Sequence, residues 1–276
     1  MTMLKLFTYL AGQGIATQRK LFPDLAEGVR GMPMLTDAAC ESGCNACAEV
    51  CPTEAINLFK YDEKGGITLD LGSCINCGYC VDVCPTKTIV NNPTTRVAVK
   101  SRSALILTNG PKDKTETQEA IAKIKLPTPK FGARELTKPF KYFNRAVAAR
   151  VVSTGCSACD MEIGASGNPV FDLERFGVTV VASPRFADAL VVTGPVPKGM
   201  QPAVTSCYQA MSSPRVVVAL GTCAISGGVH KNGYADACGI DQILPVDVYV
   251  PGCPPHPWMI IHAFNVAMGK EPPARE

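Results

Sequence analysis

The sequence lacks four features that would point to membrane insertion, export, nucleic-acid binding or nucleotide binding. No apolar run approaches the ~20 residues needed to cross a bilayer. The apolar stretch from Leu4 to Ala11 has neither a small-residue cleavage site nor a twin-arginine pair after it, so we expect no export signal. A net charge of +3 is too small to indicate a nucleic-acid partner. No P-loop is present, and Gly12-Gln-Gly14 opens no convincing dinucleotide-binding fold.

Cysteine is the residue that stands out, with 14 in 276 positions. Without an export signal we expect a reducing compartment, which favours metal ligation over disulfides. Eight cysteines lie between Cys40 and Cys84, none in the next 71 residues, and six between Cys156 and Cys253. The chain is longer than one typical domain of roughly 100–200 residues, so this gap predicts a boundary between two domains.

The first cysteine block contains two four-cysteine runs, each followed by proline. Residues 74–85 read C-x2-C-x2-C-x3-C-P, the pattern of bacterial ferredoxins, and residues 40–52 repeat it with one extra residue between Cys40 and Cys44. In such runs we expect the fourth cysteine to begin a short helix and to ligate the neighbouring cluster. The pattern predicts two [4Fe–4S] clusters, the first held by Cys40, Cys44, Cys47 and Cys84 and the second by Cys74, Cys77, Cys80 and Cys51.

Two alternatives stay open for this block. One is a pair of zinc sites, although zinc knuckles are usually separated by longer spacers. The other is a three-iron cluster, if the extra residue displaces Cys40. The apolar segments Ala55–Phe59 and Gly66–Leu71 are typical of the short strands of a two-fold α+β ferredoxin repeat. We assign residues 36–95 to this ferredoxin domain.

The segment between the two blocks is strongly basic. Residues 95–150 contain thirteen lysines and arginines against four acidic residues, and four prolines interrupt them. We interpret residues 96–145 as a solvated connector, with a further strand at Ala104–Leu107. Docking on an acidic partner or an anionic membrane face is the alternative. Residues 1–35 form an N-terminal peripheral segment, where Leu4–Leu21 could lie on the membrane surface as an amphipathic helix or pack against a partner.

The second block lies in a region of alternating strand-like and helix-like segments, residues 146–270. Apolar β-branched runs of this kind predict an α/β domain with a parallel, doubly wound sheet. Ligands of such sheets sit beyond the carboxyl ends of the strands. Glycine-containing loops after three predicted strands carry the cysteines Cys156 and Cys159, Cys223, and Cys253. Four thiolates would converge there, enough for a third [4Fe–4S] cluster, although zinc competes on spacing alone.

The motifs of this second region resemble a known family. Gly155-Cys-Ser-Ala-Cys-Asp-Met-Glu-Ile, Ala219-Leu-Gly-Thr-Cys-Ala and Val250-Pro-Gly-Cys-Pro-Pro are similar to motifs of the small subunit of [NiFe]-hydrogenases and the related 20 kDa subunit of respiratory complex I. The N-terminal part resembles the eight-iron ferredoxin subunit of the same complexes. The chain thus looks like a fusion of two normally adjacent subunits, and the resemblance implies a flavodoxin-like fold for residues 146–270.

The spacing between the first two cysteines of this region, Cys156 and Cys159, distinguishes the two families. Complex I subunits carry two adjacent cysteines there, whereas Cys156 and Cys159 are separated by two residues, as in hydrogenase small subunits. The resemblance therefore favours a membrane-bound, energy-converting hydrogenase of the formate hydrogenlyase type, on the cytoplasmic side of the inner membrane. The coenzyme F420-reducing small subunit also joins these modules, but in the reverse order.

The resemblance also implies roles and partners. Cys156, Cys159, Cys223 and Cys253 would hold the cluster proximal to a nickel–iron site, which belongs to a partner large subunit. Glu162 matches a family glutamate that could relay protons or tune the cluster, and a helix N-terminal acid is the alternative. His256 would be an interface loop histidine or a hydrogen-bond donor to the cluster.

This chain would then be an electron-relay subunit without a complete active site. Its other partners would be further iron–sulfur or donor subunits and integral-membrane subunits, with no nucleic acid. Two other functions stay open: an electron-transfer subunit of a complex I-like quinone oxidoreductase, and a non-catalytic assembly or sensor protein. Cys207, which we expect to be a buried small apolar residue, and Cys238 in a polar loop fall outside the three sets.

Overall fold

The computed structural model describes residues 3–12, 20–41, 43–61, 64–111, 115–124 and 143–275. The strands in these ranges are β1 (Met32–Leu35), β2 (Ile56–Tyr61), β3 (Lys64–Asp70), β4 (Ile89–Asn92), β5 (Ile106–Thr108), β6 (Val147–Ser153), β7 (Val178–Val180), β8 (Ala189–Thr193), β9 (Val216–Leu220) and β10 (Val248–Val250). The α-helices are α1 (Met3–Gly12), α2 (Ala46–Glu49), α3 (Tyr79–Asp82), α4 (Thr115–Lys123), α5 (Ala158–Ser166), α6 (Gln201–Ala210), α7 (Thr222–Ser226) and α8 (Pro257–Ala267). Short 3-10 helices cover Ser103–Leu105, Leu173–Phe176, Pro184–Phe186, Lys198–Met200, Gly228–His230 and Ile240–Gln242.

The N-terminal part is built from two small antiparallel sheets. Strand β1 pairs with β4, and β2 pairs with β3, which also pairs with β5. Both expected strands of the repeat are present, as β2 and β3. The short helices α2 and α3 contain the third cysteine of each run and end before the fourth, so our expectation that the fourth cysteine begins a helix was wrong. Proline directly follows the fourth cysteine of each run, and the chain forms a turn there instead of a helix.

The first part of the basic connector is not a solvated linker. Val97, Ala98, Val99 and Leu105 are buried, and β5 completes the β2–β3 sheet. The expected strand at Ala104–Leu107 begins as a 3-10 turn and becomes β5 two residues later. Apolar residues spaced among the charged ones account for this burial, because they fill the core while Arg96 stays exposed to water; Arg102 is buried with them. Residues 125–142 of the connector lie outside the described residues.

The C-terminal part contains a five-stranded sheet in the order β10-β9-β8-β6-β7. Every neighbouring pair is parallel, and counted from β6 the strand order is 2-1-3-4-5. All residues of β8, β9 and β10 are buried, as expected for parallel strands covered on both faces. The predicted α/β organisation with a parallel sheet is confirmed.

The two parts share one apolar core. The N–H groups of Val99 and Tyr249 each donate to the other's carbonyl, at 3.1 and 2.8 Å, which joins the connector to β10. Upstream, the ring of Phe22 lies 6.0 Å from that of Trp258 and 5.4 Å from that of His262, both on α8. The relative position of the two cysteine blocks is therefore fixed by packing.

Helix α1 presents apolar side chains to solvent, among them Leu4, Phe7, Tyr9 and Leu10. It covers the first half of the helix expected at Leu4–Leu21, whose residues 13–19 lie outside the described ranges. Across the described part of the chain, none of the helices has both the length and the apolar character needed to span a membrane.

Candidate iron–sulfur sites

The first predicted set of cysteines comes together around α2. Its members lie in the loop before α2, in α2 itself and just after α3: Cys40, Cys44, Cys47 and Cys84. Burial raises the pKa of the Cys47 thiol to about 11, and the neighbouring sulfurs of Cys40, Cys84 and Cys44 contribute to the rise. Helix α2, which carries Cys47, packs against α3, and Cys84 follows two residues after α3 ends, so the fold brings Cys84 towards the other three.

Cys84 is the member of this set whose thiolate form is favoured. Burial alone would raise the pKa of its thiol, but the N–H of Ile89, the hydroxyl of Thr86 and the N–H groups of Thr88 and Thr86 together lower it. Thr86 Oγ1 lies 3.7 Å from Cys84 Sγ. Since the thiolate is the form that binds iron, this turn is prepared to supply a ligand.

The second predicted set, Cys74, Cys77, Cys80 and Cys51, lines one cavity together with apolar residues such as Ile56 and Leu69. Burial raises the pKa of the Cys74 thiol to about 12; the N–H of Asn76 opposes this rise, and the sulfurs of Cys80, Cys51 and Cys77 add to it. Two amides aim at these sulfurs: Asn76 N–H donates to Cys74 Sγ at 3.4 Å, and Ala55 N–H to Cys51 Sγ at 3.3 Å.

The first two sets are direct neighbours. Burial raises the pKa of the Cys80 thiol to about 11, followed by the effects of Cys51 and Cys77 from its own set and of Cys47 from the first set. The crossed arrangement of the two runs is therefore present in the fold, since Cys51 reaches the second set and Cys84 the first. That these sets bind clusters stays a prediction.

The third set lies at the carboxyl edge of the parallel sheet. Cys156 and Cys159 follow β6, Cys223 follows β9 and Cys253 follows β10. Burial raises the pKa of the Cys159 thiol to about 12, and Cys223, Cys253, Cys156 and Asp160 add to the rise. Cys156 and Cys253 are exposed whereas Cys159 and Cys223 are half-buried, so the set has one side open to solvent.

Glycine makes room for these sulfurs. A Cβ at Gly221 would lie 2.6 Å from Cys159 Sγ, and one at Gly228 would lie 3.0 Å from Cys223 Sγ. Gly221 also has a φ of +89°, a conformation that side chains other than glycine rarely adopt. The cavity around the third set is thus walled by backbone, and a methyl group at either glycine would enter it.

The three sets fit the donor requirement of [4Fe–4S] clusters, which take four cysteine thiolates each. Backbone amides near the sulfurs supply the hydrogen bonds by which proteins set cluster potentials. Within the described ranges, no set of three or more histidine, cysteine, aspartate or glutamate side chains is arranged as a single metal ion would need. The match to [4Fe–4S] clusters therefore rests on the three sets of four cysteines and on the residues that enclose each set.

Two further predicted residues lie near the third set. Glu162 is half-buried in α5, one turn after the cysteine pair, and burial raises the pKa of its carboxyl. His256 precedes α8, and its Nδ1 accepts a hydrogen bond from Trp258 N–H at 3.2 Å. Burial lowers the pKa of His256, so the neutral ring that caps the helix is favoured. Sequence reasoning missed this capping role.

Cys207 and Cys238 lie outside the three sets. Cys207 is half-buried on α6 and packs against the edge of the core, so the expectation that it is fully buried was wrong. Cys238 has a φ of +58° and lines a polar cleft between the two parts of the molecule, together with Lys231 and Ser226.

Other polar residues around the sites were missed in the sequence. Asp160 accepts hydrogen bonds from the hydroxyls of Ser153 at the end of β6 and Thr193 at the end of β8, which anchors the first turn of α5, where Cys159 lies. Thr222 and Ser226 on α7 contact the loop that carries Cys74. No spacing pattern marks such residues, because their partners are distant in the chain.

Comparisons with known proteins match both regions. Residues 39–88 match the 4Fe-4S dicluster domain family, and residues 156–267 match the family described as NADH ubiquinone oxidoreductase, 20 Kd subunit. The first match contains all eight cysteines of the first two sets, and the second contains all four of the third. The chain therefore has a ferredoxin-type 4Fe-4S domain that precedes a complex I 20 kDa-like domain, and the predicted fold order is confirmed at this level.

Among curated relatives, formate hydrogenlyase subunit 7 of Escherichia coli (strain K12) is 43% identical over 124 residues, which cover 45% of this chain and 49% of the relative. An NADH-quinone oxidoreductase subunit of Beutenbergia cavernae is 49% identical over 114 residues, 41% of this chain and 61% of the relative. The chain thus spans about half the length of the first and about three fifths of the second. A solved chain of the membrane-bound sulfane sulfur reductase (MBS), an archaeal respiratory membrane complex, aligns with a TM-score of 0.41 and 28% identity, over 46% of this chain and 73% of that one.

Proposed function

We propose that this chain is an electron-transfer subunit that holds three [4Fe–4S] clusters and belongs to a membrane-bound [NiFe]-hydrogenase-type complex. The observation that carries the proposal is the convergence of twelve of the fourteen cysteines into three sets of four. When bound, the clusters would accept and release single electrons. The protein would hold them through the twelve thiolates, shield the second behind apolar side chains and leave the third open on one side.

The proposal assigns the open side of the third site to the partner large subunit, which would carry the nickel–iron centre. Its support is the exposure of Cys156 and Cys253 together with Met161 on α5, an apolar side chain that is 74% exposed. A partner that covered this edge would exclude water from the cluster and bring its own metal close. Glu162 would serve there as a proton relay or a tuning residue, consistent with the raised pKa of its carboxyl.

The proposed organisation keeps residues 1–35 as a peripheral segment, 36–95 as the ferredoxin domain and 146–270 as the cluster-binding α/β domain. The α/β domain is proposed to be flavodoxin-like, because 2-1-3-4-5 is the strand order of that class. Within the connector, 96–145, we assign residues 97–108 to the packed junction. The chain would combine two modules that are separate subunits elsewhere, and would sit peripherally on the cytoplasmic side of the inner membrane, next to integral-membrane and donor subunits.

The second candidate function is electron transfer in a complex I-like quinone oxidoreductase. The 49% identity to the NADH-quinone oxidoreductase relative favours it, and the two-residue separation of Cys156 and Cys159 favours the hydrogenase type. Both functions use the same three cluster sites. They differ in the metal and the substrate of the partner subunit.

The test is to purify the chain with its native partners from membranes under anaerobic conditions. We expect nickel in the complex, and reduction of this chain's clusters by hydrogen, seen by electron paramagnetic resonance (EPR). A complex without nickel whose clusters are oxidised by quinone would contradict the hydrogenase function and support the quinone oxidoreductase function. Zinc in place of iron in the purified chain, or clusters that no low-potential reductant reduces, would contradict both.

A further inference from the structure

A hydroxyl group joins the second and third candidate sites. Thr222 is the first residue of α7 and is 1% exposed. Its Oγ1 lies 2.7 Å from the carbonyl oxygen of Cys74 and 3.2 Å from that of Gly252. A hydroxyl has one proton to donate, and the shorter contact identifies Cys74 as its main acceptor. The Thr222 N–H donates to the carbonyl of Gly252 at 2.9 Å, so the backbone around this hydroxyl is fixed as well.

This contact connects ligand residues of two different sets. Cys74 belongs to the second set, and Cys223, the next residue after Thr222, belongs to the third. From the sulfur of Cys74 to the sulfur of Cys223, covalent bonds and a single hydrogen bond form a continuous route. The route is shielded from water from Cys74 to Thr222, which are both buried, and it ends on the half-buried Cys223.

A second hydroxyl on α7 attaches to the same loop without touching a cysteine. Ser226 lies one turn after Thr222, is 2% exposed and donates to the carbonyl of Gly72 at 2.9 Å. Both hydroxyls therefore hold the loop of residues 72–74 against α7. Only the Thr222 contact ends on a residue of a cluster site.

The first set meets the second set instead. Helix α2, which carries Cys47, packs against helix α3, which carries Cys80. The contacts thus arrange the sites in the order first, second, third. The passage from the ferredoxin domain to the α/β domain lies at the Cys74–Thr222 contact.

We propose that Thr222 is a positioning residue for electron transfer between the second and third sites, an inference that rests on the proposed function. One electron would leave the cluster at Cys51, Cys74, Cys77 and Cys80, which is oxidised, and enter the cluster at the third set, which is reduced. No bond is made or broken and no proton moves. The Thr222 hydroxyl fixes the separation of the two sites and supplies the hydrogen-bonded step of the route.

Three variants separate this role from simple attachment of the loop. Thr222→Val keeps the shape of the side chain and removes the hydroxyl, Thr222→Ser keeps the hydroxyl, and Ser226→Ala removes the neighbouring attachment. Each is prepared as the full chain with its clusters. A ruthenium photosensitiser, the one-electron donor, is attached through an unnatural side chain at the exposed position of Asp37, three residues before the first set. Iron content and thermal unfolding are measured alongside.

After a flash, EPR on samples frozen at successive times follows the arrival of the electron at the third cluster. We expect Thr222→Val to slow this arrival severalfold, with iron content and the magnetic signature of each isolated cluster unchanged, and Thr222→Ser to behave like the parent. The Ser226→Ala chain should also transfer at nearly the parent rate. An unchanged rate in Thr222→Val, or an equal slowing in Ser226→Ala, would overturn the proposal.

If the Thr222→Val chain binds no cluster at the third site, Thr222→Ala is used with the same expectation. The smaller side chain leaves space for the loop of residues 72–74 to pack against α7. Failure of both to load would show that the residue builds the site, and would also overturn the proposal. Failure of the proposed function gives a different result. In that case the parent chain itself would show no electron at the third cluster.

Discussion

Backbone closes one side of the third cysteine set, and it lies so close to the sulfurs that one added methyl group would take space from a cluster. At Gly221 both the positive φ and the 2.6 Å approach of a Cβ to Cys159 Sγ exclude any other residue. At Gly164, in α5 of the same domain, an added Cβ would meet no atom within 4 Å beyond its chain neighbours and the backbone of its own helix. These two glycines therefore form a matched pair in one domain: an added Cβ would meet a site sulfur at Gly221 and open space at Gly164.

We expect Gly221→Ala to lose about four irons per chain, the content of one [4Fe–4S] cluster, because the methyl group displaces Cys159. Gly164→Ala should keep all its iron and gain about 0.5–1 kcal/mol of stability from the helical alanine. Iron analysis and thermal unfolding of both variants check this. Full iron content in Gly221→Ala would show that the backbone wall does not bound a cluster site.

His262 is a buried residue whose charge state bears on stability. Burial lowers the pKa of its imidazole to about 4, the Pro272 carbonyl opposes this shift, and Arg96 adds to it. Its Nδ1 accepts a hydrogen bond from Ala98 N–H at 3.3 Å, which requires that this nitrogen carry no proton. In the unfolded chain the same ring has a pKa of about 6.5, so between these values the unfolded state binds the additional proton.

Stability should therefore fall as pH drops from about 6.5 to about 4, by roughly 3 kcal/mol from this residue alone. In His262→Asn, the amide oxygen can still accept from Ala98 but does not titrate. We expect the difference in unfolding free energy between parent and variant to change in that window and to be constant above it. Denaturant unfolding at a series of pH values measures this difference. Parallel curves for the two proteins would contradict the assignment.

At the scale of elements, a buried ion pair anchors the connector to β3. Arg102 donates to both carboxylate oxygens of Asp70 at 2.6 Å, and both side chains are about 6% exposed. Burial would raise the pKa of Asp70, but Arg102, Ser73 and the Gly72 N–H together lower it. The ionised Asp70 carboxylate thus stabilises the fold fully at a pH above its unfolded-state pKa of about 3.9. This stabilisation is lost as pH falls through the lower pKa of the folded state.

Arg102→Met should destabilise the chain by about 3–5 kcal/mol, because it leaves the Asp70 carboxylate buried without its cation. The double variant Asp70→Asn with Arg102→Met should recover part of this loss. Arg96→Met is the control in the same segment, since the partly exposed Arg96–Glu271 pair at 3.8 Å is worth about 0–1 kcal/mol. Denaturant unfolding compares the three, and equal losses for Arg102→Met and Arg96→Met would contradict the anchoring role.

The elements that could be predicted from the sequence are those with a local signal. Strands such as β8 and β9 have such a signal, because buried parallel strands are uninterrupted apolar runs. The packing of residues 97–108 could not be predicted in this way. The charge of the connector suggested solvent exposure, whereas Arg102 is buried through a partner 32 residues away. Sequence patterns do not reveal such long-range pairs.

At the scale of the whole molecule, the three sets of cysteines form a row that runs across both domains. Their membership followed from spacing and from the strand-end rule for parallel sheets, and the structure brings the same residues together. The contact between the second and third sets, through Thr222, could not be predicted, because it depends on how the two domains pack.

The most direct measurement is a combined determination of iron, acid-labile sulfide and EPR spin count on the full chain purified without oxygen and reduced stepwise at low potential. Three [4Fe–4S] clusters predict about twelve irons, an equal amount of sulfide and three one-electron reductions per chain. About eight irons with two reductions would contradict the third site. Zinc in place of iron, or clusters that stay redox-silent, would contradict the account as a whole.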